Sequence, residues 1–183
     1  MAKMDYIIKV VDRLISKCGT RDPFEICRAL DIEIYYKNLG DTAKALYFRD
    51  SRMRQICLNN RITETVLRVL LWHELGHDRL HQDIIVLKGF RKVDTISLEI
   101  PVEYEANLFA AEGILSDNDV LYLLYYDDRN LFSIASELYV PYPLLEFKLR
   151  IMQHKGYDIQ APVEANGDFL KNTIAGCFED ANW

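Results

Sequence analysis

Apolar residues recur at helical spacing at the start of the chain. Within residues 6–19 they fall on one helix face, and Gly19 ends the run. Asp22 followed by Pro23 is typical of a helix start, because Asp accepts a free backbone N–H and Pro suits the first turn. The pattern therefore predicts a long helix over 6–19 and a short one over 23–30.

Three segments with strand-like composition follow, at residues 32–38, 43–50 and 53–60. Each is rich in β-branched and aromatic residues, and turn-forming sequences separate them. In the third segment, Ile56 and Leu58 are candidates for a buried face. A small sheet is therefore expected in this part of the chain.

Helical patterns return after Thr63. This threonine is expected to cap a long helix that ends near His81, and Pro101 lies in the first turn of a second helix that Gly113 closes. Three further helices are predicted towards the C-terminus, over residues 117–126, 131–140 and 143–156. The helices and the small sheet together predict an α+β fold.

Two stretches carry no clear pattern. Residues 82–100 are ambiguous, although 84–88 could form a strand, and residues 156–183 mix small, acidic and aromatic types. The folded domain is therefore expected to span residues 1–155, with a pair of helices at 131–155 as its last part. The remaining residues, 156–183, form an unassigned C-terminal extension.

The composition narrows the classes of protein to consider. Half of the 183 residues are hydrophobic and 27% are charged, which is typical of a globular domain. The apolar runs are too short to span a membrane, no secretion signal is visible, and the four cysteines form no CxxC pair. A cytoplasmic protein is therefore expected. Its net charge of −6 argues against direct binding of nucleic acid, which requires a basic face.

Residues 69–81, VLLWHELGHDRLH, carry the first chemical signal. His73 and His77 lie four positions apart, so on a helix they share one face and can direct both imidazoles at one metal ion. Glu74 lies about 100° further round the helix, where a carboxylate can act as the base on a metal-activated water. An HExxH pattern is only moderately specific by itself, and the site needs a third ligand.

The second long helix offers that ligand. Glu103 and Asn107 share a face, whereas Glu105 points about 200° away from Glu103. Glu103 is favoured as the ligand because Asn107 can then hydrogen-bond a ligand histidine, and Glu105, the alternative, would face solvent or form a salt bridge. Small residues on this helix would allow a close approach to the HELGH helix: Ala106, Ala110 and Ala111.

His81 is not expected to bind the same ion. Positions 73 and 81 lie about 12 Å apart along a helix, so His81 is interpreted as a polar neighbour of the site.

HELGHDRLH followed by EYEANLFA resembles the ImmA/IrrE family of metallopeptidases, whose motifs are HELGHxxxH and ExEANxFA. The resemblance spans roughly residues 5–155. It implies a small antiparallel sheet before the HELGH helix, and one zinc ion on His73, His77 and Glu103, with Glu74 as the catalytic base. Another divalent metal remains open, because such ligands accept several.

The resemblance also implies a substrate class and a setting. Members of the family cleave helix-turn-helix transcriptional repressors, and phages, mobile elements or stress-response operons encode them. Two features depart from the family: Trp72 is bulkier than the usual residue before the first histidine, and EGILSD at 112–117 replaces ELLMP. Both concern the shape of the cleft and not its ligands.

The helix pair at 131–155 suggests a competing function. It resembles a helix-turn-helix, so a regulatory protein that acts by protein or DNA binding through this pair is the alternative to an enzyme. A DNA-reading helix would be polar and basic, whereas the second helix here is mostly apolar, which favours packing on the core. A purely structural metal site is a third, weaker hypothesis.

Overall fold

Seven helices and three strands can be traced in the part of the chain that the computed structural model describes. That part comprises residues 2–40, 43–49, 53–82, 100–126 and 130–159. In chain order the elements are α1 (Ala2–Cys18), α2 (Pro23–Ala29), β1 (Ile32–Lys37), β2 (Ala45–Arg49), β3 (Arg54–Asn59), α3 (Glu64–Leu80), α4 (Ile100–Ile114), α5 (Asp117–Tyr126), α6 (Leu131–Glu137) and α7 (Tyr142–His154).

These elements confirm the predicted α+β fold. Capping residues and glycines lie at the ends of several helices. The Asp22 carboxylate accepts the backbone N–H of Phe24 at 3.1 Å and so caps α2. Thr63 is the N-cap residue of α3, although its side chain makes no capping hydrogen bond. Gly156 follows the end of α7 with φ of +97°, a conformation that glycine adopts easily.

The sheet is mixed, which corrects part of the expectation for it. Its order is β1-β3-β2, so the last strand lies in the middle. β2 pairs with β3 in the expected antiparallel manner, but β1 runs parallel to β3, with Ile34 opposite Ile56. Two consecutive hairpins would have placed β1 beside β2 and made the sheet fully antiparallel. Instead β1 lies beside β3, and these two strands run parallel.

A buried carboxylate attaches this sheet to α3. Asp78 is fully buried on α3, and it accepts a 2.5 Å hydrogen bond from the hydroxyl of Tyr47 on β2. Arg54 on β3 lies 3.4 Å from the same carboxylate and also donates to the carbonyl of Leu30. The sheet therefore holds α3 through a charged hydrogen-bond group directly beside His77.

Helices α3 and α4 pack closely because a glycine lies at their contact. A Cβ atom on Gly76 would lie 3.1 Å from Cα of Ala106 and 3.2 Å from Cβ of Phe109. The small Ala106 completes the contact, as the sequence predicted. The two helices that carry the candidate ligands are thus held at short distance.

The C-terminal helix pair is part of the core. Six large apolar residues of α7 are buried: Leu144, Leu145, Phe147, Leu149, Ile151 and Met152. Lys148 of α7 is also fully buried, and its ammonium group lies 2.7 Å from Glu112 on α4 and 2.5 Å from Asp117 on α5. Lys155 binds the same two carboxylates from the end of α7. This ionic group ties α7 to α4, in agreement with the predicted packing on the core.

Some predictions concern residues outside the described part of the chain. The strand-like run at 84–88 and residues 160–183 of the extension lie there. The division of the chain near residue 155 stays a prediction. Within the described residues, no helix is both long enough and apolar enough to cross a membrane.

We expect replacement of Lys148 by Met to lower the free energy of unfolding by on the order of 3 kcal/mol, because it leaves the buried carboxylate of Glu112 and the half-buried carboxylate of Asp117 with one cation fewer. Urea denaturation would measure this change. Lys9→Met, at an exposed position of α1, is the matched control and should change stability little. Equal effects of the two substitutions would contradict the structural role assigned to Lys148.

Candidate metal centre

His73, His77 and Glu103 meet at one buried point between α3 and α4. The Nε2 atoms of the two histidines lie 3.1 Å apart. The carboxylate of Glu103 lies 3.3 Å from Nε2 of His73 through Oε2, and 3.5 Å from Nε2 of His77 through Oε1. All three residues are buried, so solvent reaches the donor atoms only slightly.

These separations suit a metal ion. In a tetrahedral zinc site with bonds of 2.0–2.1 Å, donor atoms lie about 3.3 Å from one another. The two histidine nitrogens lie 3.1 Å apart and the Glu103 oxygens lie 3.3 and 3.5 Å from them, so all three separations are close to that value. Among the described residues, this is the one group of three or more His, Cys, Asp or Glu side chains arranged to hold a metal. The residues present therefore fit the metal that the resemblance implies.

Asn107 orients the first histidine. Nδ1 of His73 lies 2.9 Å from Oδ1 of Asn107, and both residues are buried. Because an amide oxygen only accepts, the Nδ1–H of His73 donates to it and the lone pair of Nε2 is left facing the site. The contact has the geometry that the spacing of Glu103 and Asn107 indicated.

The second histidine has a partner that the sequence reasoning did not identify. Nδ1 of His77 lies 3.1 Å from Nδ1 of His81, and Nε2 of His81 lies 3.3 Å from Oε2 of Glu105. Lys3 of α1 forms an ion pair with Oε1 of the same glutamate. His81 is thus a polar neighbour, as interpreted, and Glu105 forms a salt bridge but is buried instead of facing solvent. Only the four-residue spacing of His77 and His81 could have indicated this contact.

Glu74 is a buried carboxylate beside the three donor residues, with 7% of its surface exposed. Burial raises its pKa to about 7; the charge of Glu103 adds to the increase, and His73 opposes it. A carboxyl group with a pKa near neutrality can both accept and return a proton, which is the property required of a general base that later acts as an acid.

The histidines differ in their protonation. Burial lowers the pKa of His77 to about 3, and the neighbouring His73 contributes in the same direction. Burial also disfavours protonation of His73, but the carboxylates of Glu103 and Glu74 and the contact with Asn107 together raise the pKa of His73. Neutral imidazole is the form that binds a metal, and His77 is in that form at neutral pH.

The two departures from the family motifs contact each other. Trp72 is fully buried, and its ring lies against Gly113 so closely that a Cβ atom there would overlap it. The indole N–H donates to the carbonyl of Arg21 at 3.2 Å. The guanidinium of Arg21 in turn donates to the carbonyls of Glu112 and Gly113, both at 2.8 Å. The Trp72 ring can therefore pack against position 113 only because glycine has no side chain there.

Two histidines and a glutamate on closely packed helices form a group that could hold a metal ion, and these donor types occur in the zinc sites of metallopeptidases. Residues 27–150 match the model of a peptidase family described as the IrrE N-terminal-like domain. Because this match covers more than half of the chain, the protein belongs to that family. The resemblance inferred from the HELGH and EYEANLFA motifs is thereby confirmed.

The chain is also similar to two named relatives. The chain is 30% identical over 141 residues to Metallopeptidase ImmA of Bacillus subtilis (strain 168), which covers 76% of this chain and 81% of the relative. It is 33% identical over 107 residues to Uncharacterized immunity region protein 2 of Bacillus phage phi105, which covers 58% of this chain and 66% of that protein. The chain thus spans just under two thirds of the phage protein.

We expect Gly113→Ala to destabilise the protein by about 1–3 kcal/mol, because the added methyl group overlaps the Trp72 ring. Helix propensity alone would make the alanine variant more stable by about 1 kcal/mol. A loss of stability therefore indicates the overlap with Trp72, and a gain indicates that helix propensity dominates. Urea denaturation of the single variants and of the double variant with Trp72→Leu would measure the coupling. If Gly113→Ala lowers the free energy of unfolding equally with Trp72 and with Leu at position 72, the two residues are independent and the explanation fails.

Proposed function

We propose that this protein is a zinc-dependent endopeptidase in which His73, His77 and Glu103 hold one ion and Glu74 is the catalytic base. The observation that carries the proposal is the convergence of two histidine nitrogens and the Glu103 carboxylate, with separations of 3.1–3.5 Å, from two helices beside a further buried carboxylate, Glu74. Other divalent metals also suit these ligands, and zinc is proposed on the His–His–Glu set.

The chemistry divides between the metal and the protein. When bound, the ion acidifies a water molecule and polarises the carbonyl of the scissile peptide. The carboxylate of Glu74 takes up a proton and later delivers it to the leaving amine, and its pKa of about 7 suits both transfers. Asn107 holds the ring of His73 in the orientation that ligation requires.

For the substrate, we propose a helix-turn-helix transcriptional repressor of a phage, mobile element or stress-response operon, cleaved in the cytoplasm. The family resemblance supports this substrate. A relative named as a phage immunity region protein, and another named as a metallopeptidase, support it as well.

Two other functions are less well supported. A regulatory protein that binds DNA through α6 and α7 would need a polar face on α7, whereas this helix is buried along most of its length and its Lys148 is engaged inside the protein. A purely structural zinc site would require a fourth protein ligand. Within the described residues the group has three members, as catalytic zinc sites do.

We expect Glu74→Gln to reduce cleavage by about 10²–10⁴-fold while zinc binding and the fold are retained, because the amide cannot accept the proton. Candidate repressors encoded by neighbouring genes would be incubated with each variant, with and without a chelator, and the products identified by mass spectrometry.

Glu64→Gln, on an exposed first-turn position of the same helix, is the matched control and should cleave like the unmodified protein. Full activity of Glu74→Gln would overturn the proposed mechanism. Cleavage that survives removal of the metal by the chelator would overturn the metal-dependent function itself.

A further inference from the structure

A chain of polar contacts leads from the candidate metal centre to the N-terminal helix. It runs from His77 to His81, from His81 to Glu105 on α4, and from Glu105 to Lys3 on α1. Both histidines and the glutamate are buried. The family model matches residues 27–150. Lys3, the last residue in this series of contacts, lies outside that range.

The contacts define where each proton lies if His77 binds the metal through Nε2. A neutral imidazole carries one N–H, so His77 must then carry it on Nδ1 and donate it to Nδ1 of His81. His81 therefore carries its own proton on Nε2 and donates it to Oε2 of Glu105. The ammonium group of Lys3 compensates the charge of that carboxylate at its other oxygen.

We propose that His81, Glu105 and Lys3 act together as a positioning relay that fixes the tautomer and the ring orientation of His77. The relay is the counterpart of the contact between His73 and Asn107, and it gives each histidine a partner on Nδ1. The proposal rests on the proposed role of His77 as a metal ligand and not on the identity of the peptide substrate.

Zinc affinity and histidine tautomers test the relay. His81→Phe keeps a ring of similar size but removes the acceptor, and we expect the affinity for zinc to fall about 10–100-fold, as is usual when such an outer contact is lost. His81→Asn can place an amide oxygen near the position of Nδ1 and should restore most of the affinity. Competition with a chromophoric chelator would measure both, and circular dichroism would confirm the fold.

His154→Phe is the matched control. His154 contacts Asp5 of α1 at 2.7 Å, so this substitution also removes a histidine contact with the N-terminal helix, but one away from the metal centre. It should leave zinc affinity unchanged. A loss of affinity equal to that of His81→Phe would mean that attachment of α1, and not orientation of His77, is responsible.

A second pair of variants keeps the test decisive if His81→Phe does not fold. Glu105→Gln retains an oxygen that accepts from His81 and should bind zinc with only a small loss, whereas Glu105→Leu should show a clear loss. Equal affinities for these two variants, or an unchanged affinity in folded His81→Phe, would overturn the relay.

The tautomer can be read without metal. In nitrogen-15 NMR of the metal-free protein, His77 should carry its proton on Nδ1, and this preference should weaken in His81→Phe. A proton on Nε2 of His77 in the unmodified protein would overturn the proposal even if no zinc binds. Neither the zinc affinity nor the NMR measurement involves cleavage. The relay can therefore be disproved while the peptidase function holds, and the peptidase function can be disproved while the relay holds.

Discussion

The close contact of α3 and α4 at Gly76 and Ala106 is the constraint on which the candidate site depends. His73 and His77 project from one helix and Glu103 and Asn107 from the other, and the separations of 3.3 and 3.5 Å between Glu103 and the two histidines arise only if the helix axes come near each other. A side chain on Gly76 would press against the backbone of Ala106. The glycine in HELGH is therefore explained by packing, because a wider helix separation would move the carboxylate away from the imidazoles.

Buried charged groups hold this pair of helices in the rest of the fold. Asp78 connects α3 to the sheet through Tyr47 and Arg54, one residue beyond the second histidine. Lys148 connects α4 to α7 through Glu112. Each charge has a partner of opposite sign, which buried charges require, and each contact limits the movement of a helix that carries candidate ligands. A site that must keep its donor atoms in place benefits from such a rigid frame.

Trp72 and Gly113 show how motif departures can compensate each other. Considered separately, a tryptophan before the first histidine and a glycine after the second motif are two unrelated departures from the family motifs. Together they form one contact, in which the indole occupies the space that a side chain at 113 would fill. The hydrogen bonds of Arg21 to the carbonyls at 112 and 113 and of the indole N–H to the Arg21 carbonyl tie the two positions together.

Local geometry explains why several features of this protein could be predicted from its residues alone. The helices and strands, the shared face of His73 and His77, and the pairing of Glu103 with Asn107 follow from periodicity and from spacings of four residues, which depend only on the backbone helix. The packing of whole elements places β3 between β1 and β2 and buries Lys148 in an ionic group. It also brings His81 into contact with Glu105 and, through Glu105, with Lys3. These contacts join residues far apart in the chain, and their formation depends on how whole elements pack and not on any local pattern.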